Sequence, residues 1–532
     1  MKEQTKTSFS GREKAGSTES RNPATGGVIG YSPKNSVGDL KEAVRKSRAA
    51  QEAWAVLPVR KRARALKGTR VYLIEHAEKI AELISLENGK TRVDALSTEV
   101  LPAVMALDFY ASHAKRFLKP AFLMPGSLLL GNKWSKIFRN PYGVIGIISP
   151  WNYPFAIPFS EVVMGLLAGN AVILKTATNT QLVGKQIEAC VRAADLPDGL
   201  FSFINISGDV AGDAFIDSGI DKLFFTGSVS VGKKLMSKAA ETLTPLNLEL
   251  GGNDAMLVCE DADLDRATSG AVWAGLSNCG QSCAGVERVY VHESVYEPFM
   301  ERLKEKVKAL RVGRDSDYNV DMGAMTTKNQ IEKVRAHLED ALDRGAVIVA
   351  QSECPPRDSP GNFLPATVIA EVNHEMLVMQ EETFGPVLAV MKVKNMEEAI
   401  CLANDSIYGL TGSVWSGNGK TAGQIARRIR AGVITVNDHL VSHGMAETPW
   451  GGLKASGFGR THGRIGFNEM TQPQVVVHDI LAFAKKNLWW HPYDQSLFRG
   501  LLGAMKLFHG RKLKDRLSGL IPLLKILPRV FR

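Results

Sequence analysis

The sequence predicts an α/β protein with two tandem domains, each organised around a buried parallel sheet. Two observations carry that prediction. From Tyr142 onward, short and nearly continuous apolar runs bounded by Gly, Pro or Asn alternate with helical patterns. This is the pattern of βαβ units whose strands are covered on both faces. The runs also fall into two series that meet near Gly251-Gly252. Composition permits the arrangement: 532 residues at 45% hydrophobic and 23% charged hold enough apolar material for two or three cores.

Along the chain, a polar leader (1–20) precedes three stretches, 39–54, 60–86 and 99–117. In each, apolar residues return every three or four positions, which predicts amphipathic helices. The first series of strands is predicted at 143–148, 171–174, 201–204, 222–225 and 247–250. Helices at 155–168, 181–194, 210–217 and 231–242 connect them. The second series is predicted at 255–258, 289–291, 346–349, 387–390 and 432–436. No internal repeat and no low-complexity tract interrupts this order.

The formal net charge of +10 is unevenly placed. Residues 485–532 hold eleven Lys/Arg against Asp494 and Asp515, so the last segment carries +9 and the rest is near neutral. A basic balance would otherwise raise nucleic acid as a partner; here it describes only a tail, and no nucleic acid is expected. Six cysteines in so long a chain do not form a disulfide framework, which suggests a reducing, cytoplasmic setting. The first residues are polar without an apolar stretch, so no secretory signal is visible. No run of about 18 apolar residues suggests a spanning helix.

Several motifs could carry chemistry. In Lys222-Leu-Phe-Phe-Thr-Gly-Ser-Val-Ser-Val-Gly232 a strand runs into Gly227 and Ser228 and then a helix. That turn can face backbone N–H groups towards a phosphate; glycine there also serves geometry alone, and the Gly-x-Gly-x-x-Gly spacing is absent. Cys283 stands among Ser282, Ala284 and Gly285, open enough for a nucleophile, although free cysteines are more often buried structural thiols. That second reading is expected for Cys190, Cys259, Cys279 and Cys401. Cys279 and Cys283 lack a second ligand pair, so no metal is expected. Glu249 lies between leucines at a strand end, where burial would raise its pKa and suit a general base; a solvated strand-end acid is the alternative. Asn152, in Pro150-Trp-Asn-Tyr-Pro154, could aim an amide at developing negative charge or simply serve a turn.

In their order, these segments resemble the aldehyde dehydrogenases. The resemblance rests on Pro150-Trp-Asn-Tyr-Pro154, Phe225-Thr-Gly-Ser228, Leu248-Glu-Leu-Gly-Gly252, Gly280-Gln-Ser-Cys283, Glu381-Glu-Thr-Phe-Gly-Pro386 and Pro449-Trp-Gly-Gly-Leu-Lys-Ala-Ser-Gly457. Asn22-Pro-Ala-Thr-Gly26 is similar to the family's opening strand, and the likeness covers about 20–480. It implies that Cys283 attacks the aldehyde, that Asn152 and the Cys283 N–H hold the oxyanion, and that Glu249 activates the water that hydrolyses a thioester. The retained Glu249 favours a free carboxylic acid over transfer to coenzyme A. It further implies NAD or NADP as cofactor. Gly227 and Ser228 would meet its pyrophosphate, Lys175 the adenosine ribose and Glu382 the nicotinamide ribose, with Phe384 and Trp151 lining the cleft. Thr178 stands where NAD-preferring relatives commonly carry an acid, which leaves NADP admissible.

The expected architecture is therefore α/β, with two tandem doubly wound parallel-sheet domains plus a small β oligomerisation element. The dinucleotide-binding domain comprises 21–119 and 142–253, the catalytic thiol domain 254–453, and the oligomerisation element 120–141 and 464–480. Val475-Val-Val477 would pair across subunits of a homodimer or homotetramer. Tyr153, Phe155, Trp415 and 441–448 are expected to shape the substrate tunnel. Without a basic set to hold a carboxylate, a medium-chain or fatty aldehyde is preferred over a semialdehyde. The rival reading is a membrane-associated scaffold that kept an enzyme fold for binding. The tail, 485–532, alternates basic and apolar residues at helical spacing, with Trp489 and Trp490 at its entrance and Gly510 and Pro522 interrupting it. This suits peripheral docking on an anionic membrane surface better than spanning, or else packing on a neighbouring subunit.

Overall fold

The computed structural model describes residues 16–531, so most of the polar leader (1–15) lies outside the described residues. From Gly16 on the chain is already structured, and Ser17–Arg21 is a strand. Two compact units are formed: one of the residues up to Leu118 with Pro141–Gln472, the other of Lys119–Asn140 with the residues from Pro473 on.

In chain order the strands are β1 (Ser17–Arg21), β2 (Val28–Pro33), β3 (Ala121–Leu123), β4 (Lys133–Pro141), β5 (Val144–Ile148) and β6 (Ala171–Lys175). Next come β7 (Phe201–Phe203), β8 (Lys222–Thr226), β9 (Leu246–Glu249), β10 (Asp254–Val258), β11 (Val286–His292) and β12 (Val347–Gln351). Last are β13 (Thr367–Ala370), β14 (Val387–Val393), β15 (Thr411–Trp415), β16 (Val433–Val436), β17 (Gly457–Phe458) and β18 (Thr471–Asp479).

Besides the β1–β2 pair, the larger unit holds two large open sheets. The first has the order β17-β9-β8-β5-β6-β7 and is parallel apart from the two-residue β17. The second has the order β12-β13-β14-β11-β10-β15-β16, parallel apart from its edge strand β12. In the first sheet the chain winds from β5 through β6 to β7, then returns to β8 and β9 on the other side of β5. The strand order therefore reverses between β5 and β8, and crevices open at the carboxyl ends of strands at such a reversal. The helix Ala156–Ala168 that follows β5 is buried along its whole length, which explains a sequence apolar on every face.

Four sequence expectations change. The single helix expected at 60–86 is three: Val59–Ala65, Lys67–Glu75 and Ala77–Asn88. The bends let Gly68 lie against the Ala193 carbonyl, where a Cβ would stand at 1.9 Å. The run at 346–349 is not a buried parallel strand but the antiparallel edge β12, with Val347 and Ile348 exposed. Asn22–Gly26 forms the turn between β1 and β2, closed by the Gly26 N–H on the Asn22 carbonyl at 2.8 Å with Gly26 at φ +70°. Residues 464–470, expected in the oligomerisation element, instead form the helix Gly463–Glu469, whose Phe467, with the adjoining Met470, is buried in the core of the first sheet.

The smaller unit consists of a three-stranded sheet, β18-β4-β3, and two C-terminal helices, Gln495–His509 and Leu513–Ile526. Lys133 at the start of β4 pairs with Asp479 at the end of β18.

Candidate active site

Asn152 lies on the loop that leaves β5, and Gly227 and Ser228 on the turn that leaves β8, so the two loops flank the point where strand order reverses. Glu249 is the last residue of β9, one strand further. The second sheet contributes Cys283 from the loop before β11.

That loop is tightly built. Asn278, Cys279 and Gly280 take left-handed φ values of 50°, 56° and 68°. At Gly280 a Cβ would stand 2.1 Å from the Gly385 carbonyl, so no other residue fits. The Gln281 amide donates to the Asn278 carbonyl, and its oxygen accepts the Thr326 N–H at 2.9 Å. Cys279 is buried with its thiol on the Gly323 carbonyl at 3.1 Å. Such strain concentrates at sites that hold a side chain for a purpose. Here it presents Cys283, which is half-buried. Burial, with the Glu382, Asp254 and Glu249 carboxylates nearby, pushes the Cys283 thiol above the usual cysteine range.

Asn152 Nδ2 donates to the Gln281 carbonyl at 3.1 Å, which takes one of the two hydrogens of that amide. Its backbone carbonyl accepts from Asn278 Nδ2 (3.0 Å) and from Lys90 Nζ (2.8 Å). Lys90 in turn pairs with Glu99 at 2.7 Å, both side chains fully buried, and the second Glu99 oxygen accepts the Phe155 N–H at 2.7 Å. This ion pair, not foreseen from sequence, clamps the 152–155 loop from both ends. Breaking a buried pair leaves a charge without its partner. Lys90→Met is therefore expected to lower unfolding free energy by about 3 kcal/mol or more, read from the urea midpoint.

Glu249 is buried, and neither carboxylate oxygen has a hydrogen-bond partner. Burial raises its pKa well above the carboxylate range. The second buried acid, Glu161, pushes the same way, and Arg460 opposes. Gly451 backs directly onto the carboxylate, since a Cβ there would meet Oε1 at 2.8 Å. Beside Glu249 is a small cavity of about 20 Å³, lined also by Cys283, Glu161, His443 and His462. About 10–15 Å³ suffices for one water, so this cavity has room for a single water. Burial raises Glu161 to about 8 and holds His443 near 3 and His462 near 4, neutral at ordinary pH.

A second cavity, of about 210 Å³, brings together Trp151, Asn152, Gly227, Ser228, Glu382 and Phe384, again with Cys283. Trp151 and Phe384 meet edge to face, centroids 5.5 Å apart. The Glu382 carboxylate accepts the Gly252 N–H at 2.9 Å, an approach that leaves no room for a Cβ at Gly251 (2.7 Å from Oε2); burial raises it to about 7. Ser228 caps the helix Val229–Ala240 through the Val231 N–H. Gly227 donates its own N–H to the Glu249 carbonyl at 3.0 Å, so it offers clearance to a ligand rather than a donor. Lys175 ends β6, buried, and desolvation lowers it to about 8. Thr178 is exposed on the turn after it. Neither of these two lines the cavity that holds the others. Sequence reasoning missed Glu287 of β11, which accepts the Thr383 and Phe384 N–H groups at 2.9 and 2.7 Å and so positions the Phe384 ring. It also missed Gln330 and Lys333 on the same wall.

A third cavity, of about 370 Å³, reaches Cys283 from another side. Its walls include Leu101, Met105, Tyr153, Trp273, Val441 and Trp450, and among the described residues no Lys or Arg lines it. Tyr153 and much of the 441–447 segment line it. Phe155 and Trp415 do not: Phe155 is buried and stacked on Phe159, and the Trp415 indole packs over Gly270 with Nε1 on Ser413. Cys401, expected to be buried, is exposed. Among the described residues no cluster of three or more His, Cys, Asp or Glu is placed to hold a metal.

These strand-end loops can be set beside known proteins. The model of the Aldehyde dehydrogenase family matches residues 10–476. The chain belongs to that family. It is 37% identical over 488 residues to the 4,4'-diapolycopene aldehyde oxidase of Methylomonas, covering 92% of this chain and 90% of that protein. The Mycobacterium tuberculosis aldehyde dehydrogenase complexed with NAD+ superposes with a TM-score of 0.82 at 32% identity, over 87% of this chain and 95% of that one. The succinate-semialdehyde dehydrogenase of Burkholderia pseudomallei gives 0.82 at 31% identity, over 87% and 94%. The protein is thus an aldehyde dehydrogenase, an enzyme of aldehyde oxidation with an α/β fold of parallel-strand sheets.

Proposed function

We propose that this aldehyde dehydrogenase oxidises long, apolar aldehydes to their free carboxylic acids, with NAD or NADP as the cofactor. The observation that carries the reading is that Cys283 lies where three cavities meet: one apolar, one lined by Trp151, Ser228, Glu382 and Phe384, and one of single-water size beside Glu249. An aldehyde, a dinucleotide and a water each have an approach to one thiol.

The second cavity fits a dinucleotide chemically. The helix N-terminus opened by Ser228 suits the pyrophosphate, with clearance from Gly227. The carboxylate of Glu382 suits ribose hydroxyls, and the Trp151–Phe384 pair flanks the nicotinamide side. Lys175 and Thr178, on the neighbouring strand end, would meet the adenosine ribose. No carboxylate at Thr178 repels a 2′-phosphate, so either dinucleotide is accepted. The bound cofactor supplies the hydride acceptor.

The chain's own groups do the rest. The Cys283 sulfur adds to the aldehyde carbon, and the resulting oxyanion is held by the free Asn152 amide hydrogen and the Cys283 N–H. Oxidation of that adduct leaves a thioester on Cys283. Glu249 takes a proton from water in the small cavity, and the hydroxide attacks the thioester, releasing the acid. The open edge of β18, with Val475 and Val477 exposed, is where two copies of the subunit would pair.

The apolar cavity selects the substrate. It offers no cation for a carboxylate, and the exposed Glu447 on its wall would repel one. The relative named for 4,4'-diapolycopene supports this choice over the one named for succinate semialdehyde. Each buried methylene is worth ~0.8 kcal/mol, nearly fourfold. kcat/KM is therefore expected to climb from butanal to decanal and to exceed that for succinic semialdehyde by about 100-fold or more. A higher kcat/KM for succinic semialdehyde would reverse the assignment.

A further inference from the structure

The two C-terminal helices belong to no part of the chemistry above. Gln495–His509 and Leu513–Ile526 form a hairpin whose closest approach is through glycines. A Cβ on Gly519 would stand 2.2 Å from the Gly503 carbonyl, and one on Gly503 would stand 2.6 Å from the Gly519 carbonyl. Leu497, Ala504, Leu523 and Ile526 are buried in the small core beside them. Because small residues make the contact, most of the bulky apolar side chains are left outside it. Phe498, Met505, Leu513, Leu517, Ile521 and Leu524 are all at least half exposed, Leu513 at 72%. Trp489 and Trp490, just before the hairpin, are exposed as well.

The charge on this surface is strongly positive, with Asp494 and Asp515 the two acids of the segment. Of the eleven Lys/Arg in 485–532, Arg529 alone has an acid partner among the described residues, Asp494 at 3.4 Å. Pairing this face with a second copy of itself would bring like charges together, which opposes association. An anionic surface would satisfy the same charges. The helices hold 15 and 14 residues, about 22 Å each at 1.5 Å per residue, against a hydrocarbon core of about 30 Å. No described helix is long and apolar enough to cross a membrane.

We propose that the hairpin is a docking surface for an anionic lipid bilayer: Phe498, Leu517, Ile521 and Leu524 enter the headgroup–acyl boundary while Arg499, Lys506, Lys514 and Lys525 meet lipid phosphates. A peripheral helix with basic residues beside an apolar face binds in this way, and indoles favour the interface.

The test is flotation of the full-length chain with vesicles of phosphatidylcholine and phosphatidylglycerol at 70:30. Partitioning is expected to be at least tenfold stronger than on pure phosphatidylcholine and to fall in 0.5 M NaCl. Each basic residue near an anionic surface contributes about fivefold. Joint Arg499→Glu, Lys506→Glu, Lys514→Glu and Lys525→Glu should thus weaken binding by about 100-fold or more. Leu517→Ser with Ile521→Ser and Leu524→Ser should weaken it as well, with aldehyde-dependent NAD(P)H formation in solution retained by both variants as the check on folding. Failure of the native chain to float with anionic vesicles overturns the proposal, a result that needs no variant. So does equal binding by native and variants. So does an apolar variant that changes sedimentation mass yet still floats, because the face is then a subunit interface.

Discussion

Cys283→Ala is expected to lower aldehyde-dependent NAD(P)H formation by about 10⁴-fold or more while leaving the protein folded and able to bind its dinucleotide. The carbonyl carbon of an aldehyde parts with hydride only after a nucleophile has made it tetrahedral, and the proposed mechanism gives that role to Cys283. No other thiol can substitute. Cys279 is buried on the Gly323 carbonyl, and among the described cysteines only Cys283 lines any of the three cavities. The loss belongs to chemistry rather than stability, because a thiol at a cavity wall leaves little new void when it is trimmed. Dinucleotide binding by fluorescence and an unchanged melting temperature separate the two causes. In the native enzyme the first turnover should quicken as pH rises, because burial and three neighbouring carboxylates disfavour the thiolate. Turnover within 100-fold of native in the alanine variant would remove Cys283 from this role.

Cys283, Glu249 and Asn152 stood out in the sequence by their settings, although a structural thiol, a solvated acid and a turn residue were open alternatives and their roles came from the family resemblance. Glu249 lies between leucines at a strand end, Asn152 between Trp and Tyr-Pro, and Cys283 among small residues. The parallel strands were legible for a related reason: Val144–Ile148 and Ala171–Lys175 are buried on both faces and read as unbroken apolar runs. β15 was missed because its sequence, Thr-Gly-Ser-Val-Trp, is clearly apolar in only two of five positions. It is buried all the same, since Thr411 binds the Asp254 carboxylate and Ser413 accepts from the Trp415 indole. The run at 346–349 failed in the opposite sense, apolar yet exposed on an edge. Partners distant in sequence were beyond reach altogether. Lys90 and Glu99 look like ordinary solvated charges in the sequence, and only the fold brings them under Asn152. Glu161, inside an apolar helix, gave a signal that burial of an acid is costly without use, and it lies beside Glu249.

Glu249→Gln is expected to stall the enzyme after one turnover, with a burst of about one NAD(P)H per active site followed by a steady rate some 10²–10⁴-fold below native. In the proposed mechanism, addition of the Cys283 thiol to the aldehyde and loss of hydride form the thioester without Glu249, whereas hydrolysis of the thioester needs a base to take a proton from water. Glutamine keeps the shape and loses the basicity, so the thioester should accumulate and be trappable by hydroxylamine. The native enzyme adds a second signature. Burial and the Glu161 carboxylate hold Glu249 well above the usual carboxylate range, so at low pH it is protonated and cannot act. The steady rate should rise as pH increases through that raised pKa, because the deprotonated form is the active one. In Glu249→Gln this pH dependence should flatten while the burst amplitude stays. Glu161 keeps its own acid beside the site, raised by burial to about 8, so Glu161→Gln tests which carboxylate is titrating. If its profile moves down in pH and its burst is unchanged, the base is Glu249, relieved of a neighbouring negative charge. If instead the burst and the steady rate fall together in Glu249→Gln, Glu249 acts before the thioester, on the Cys283 thiol itself.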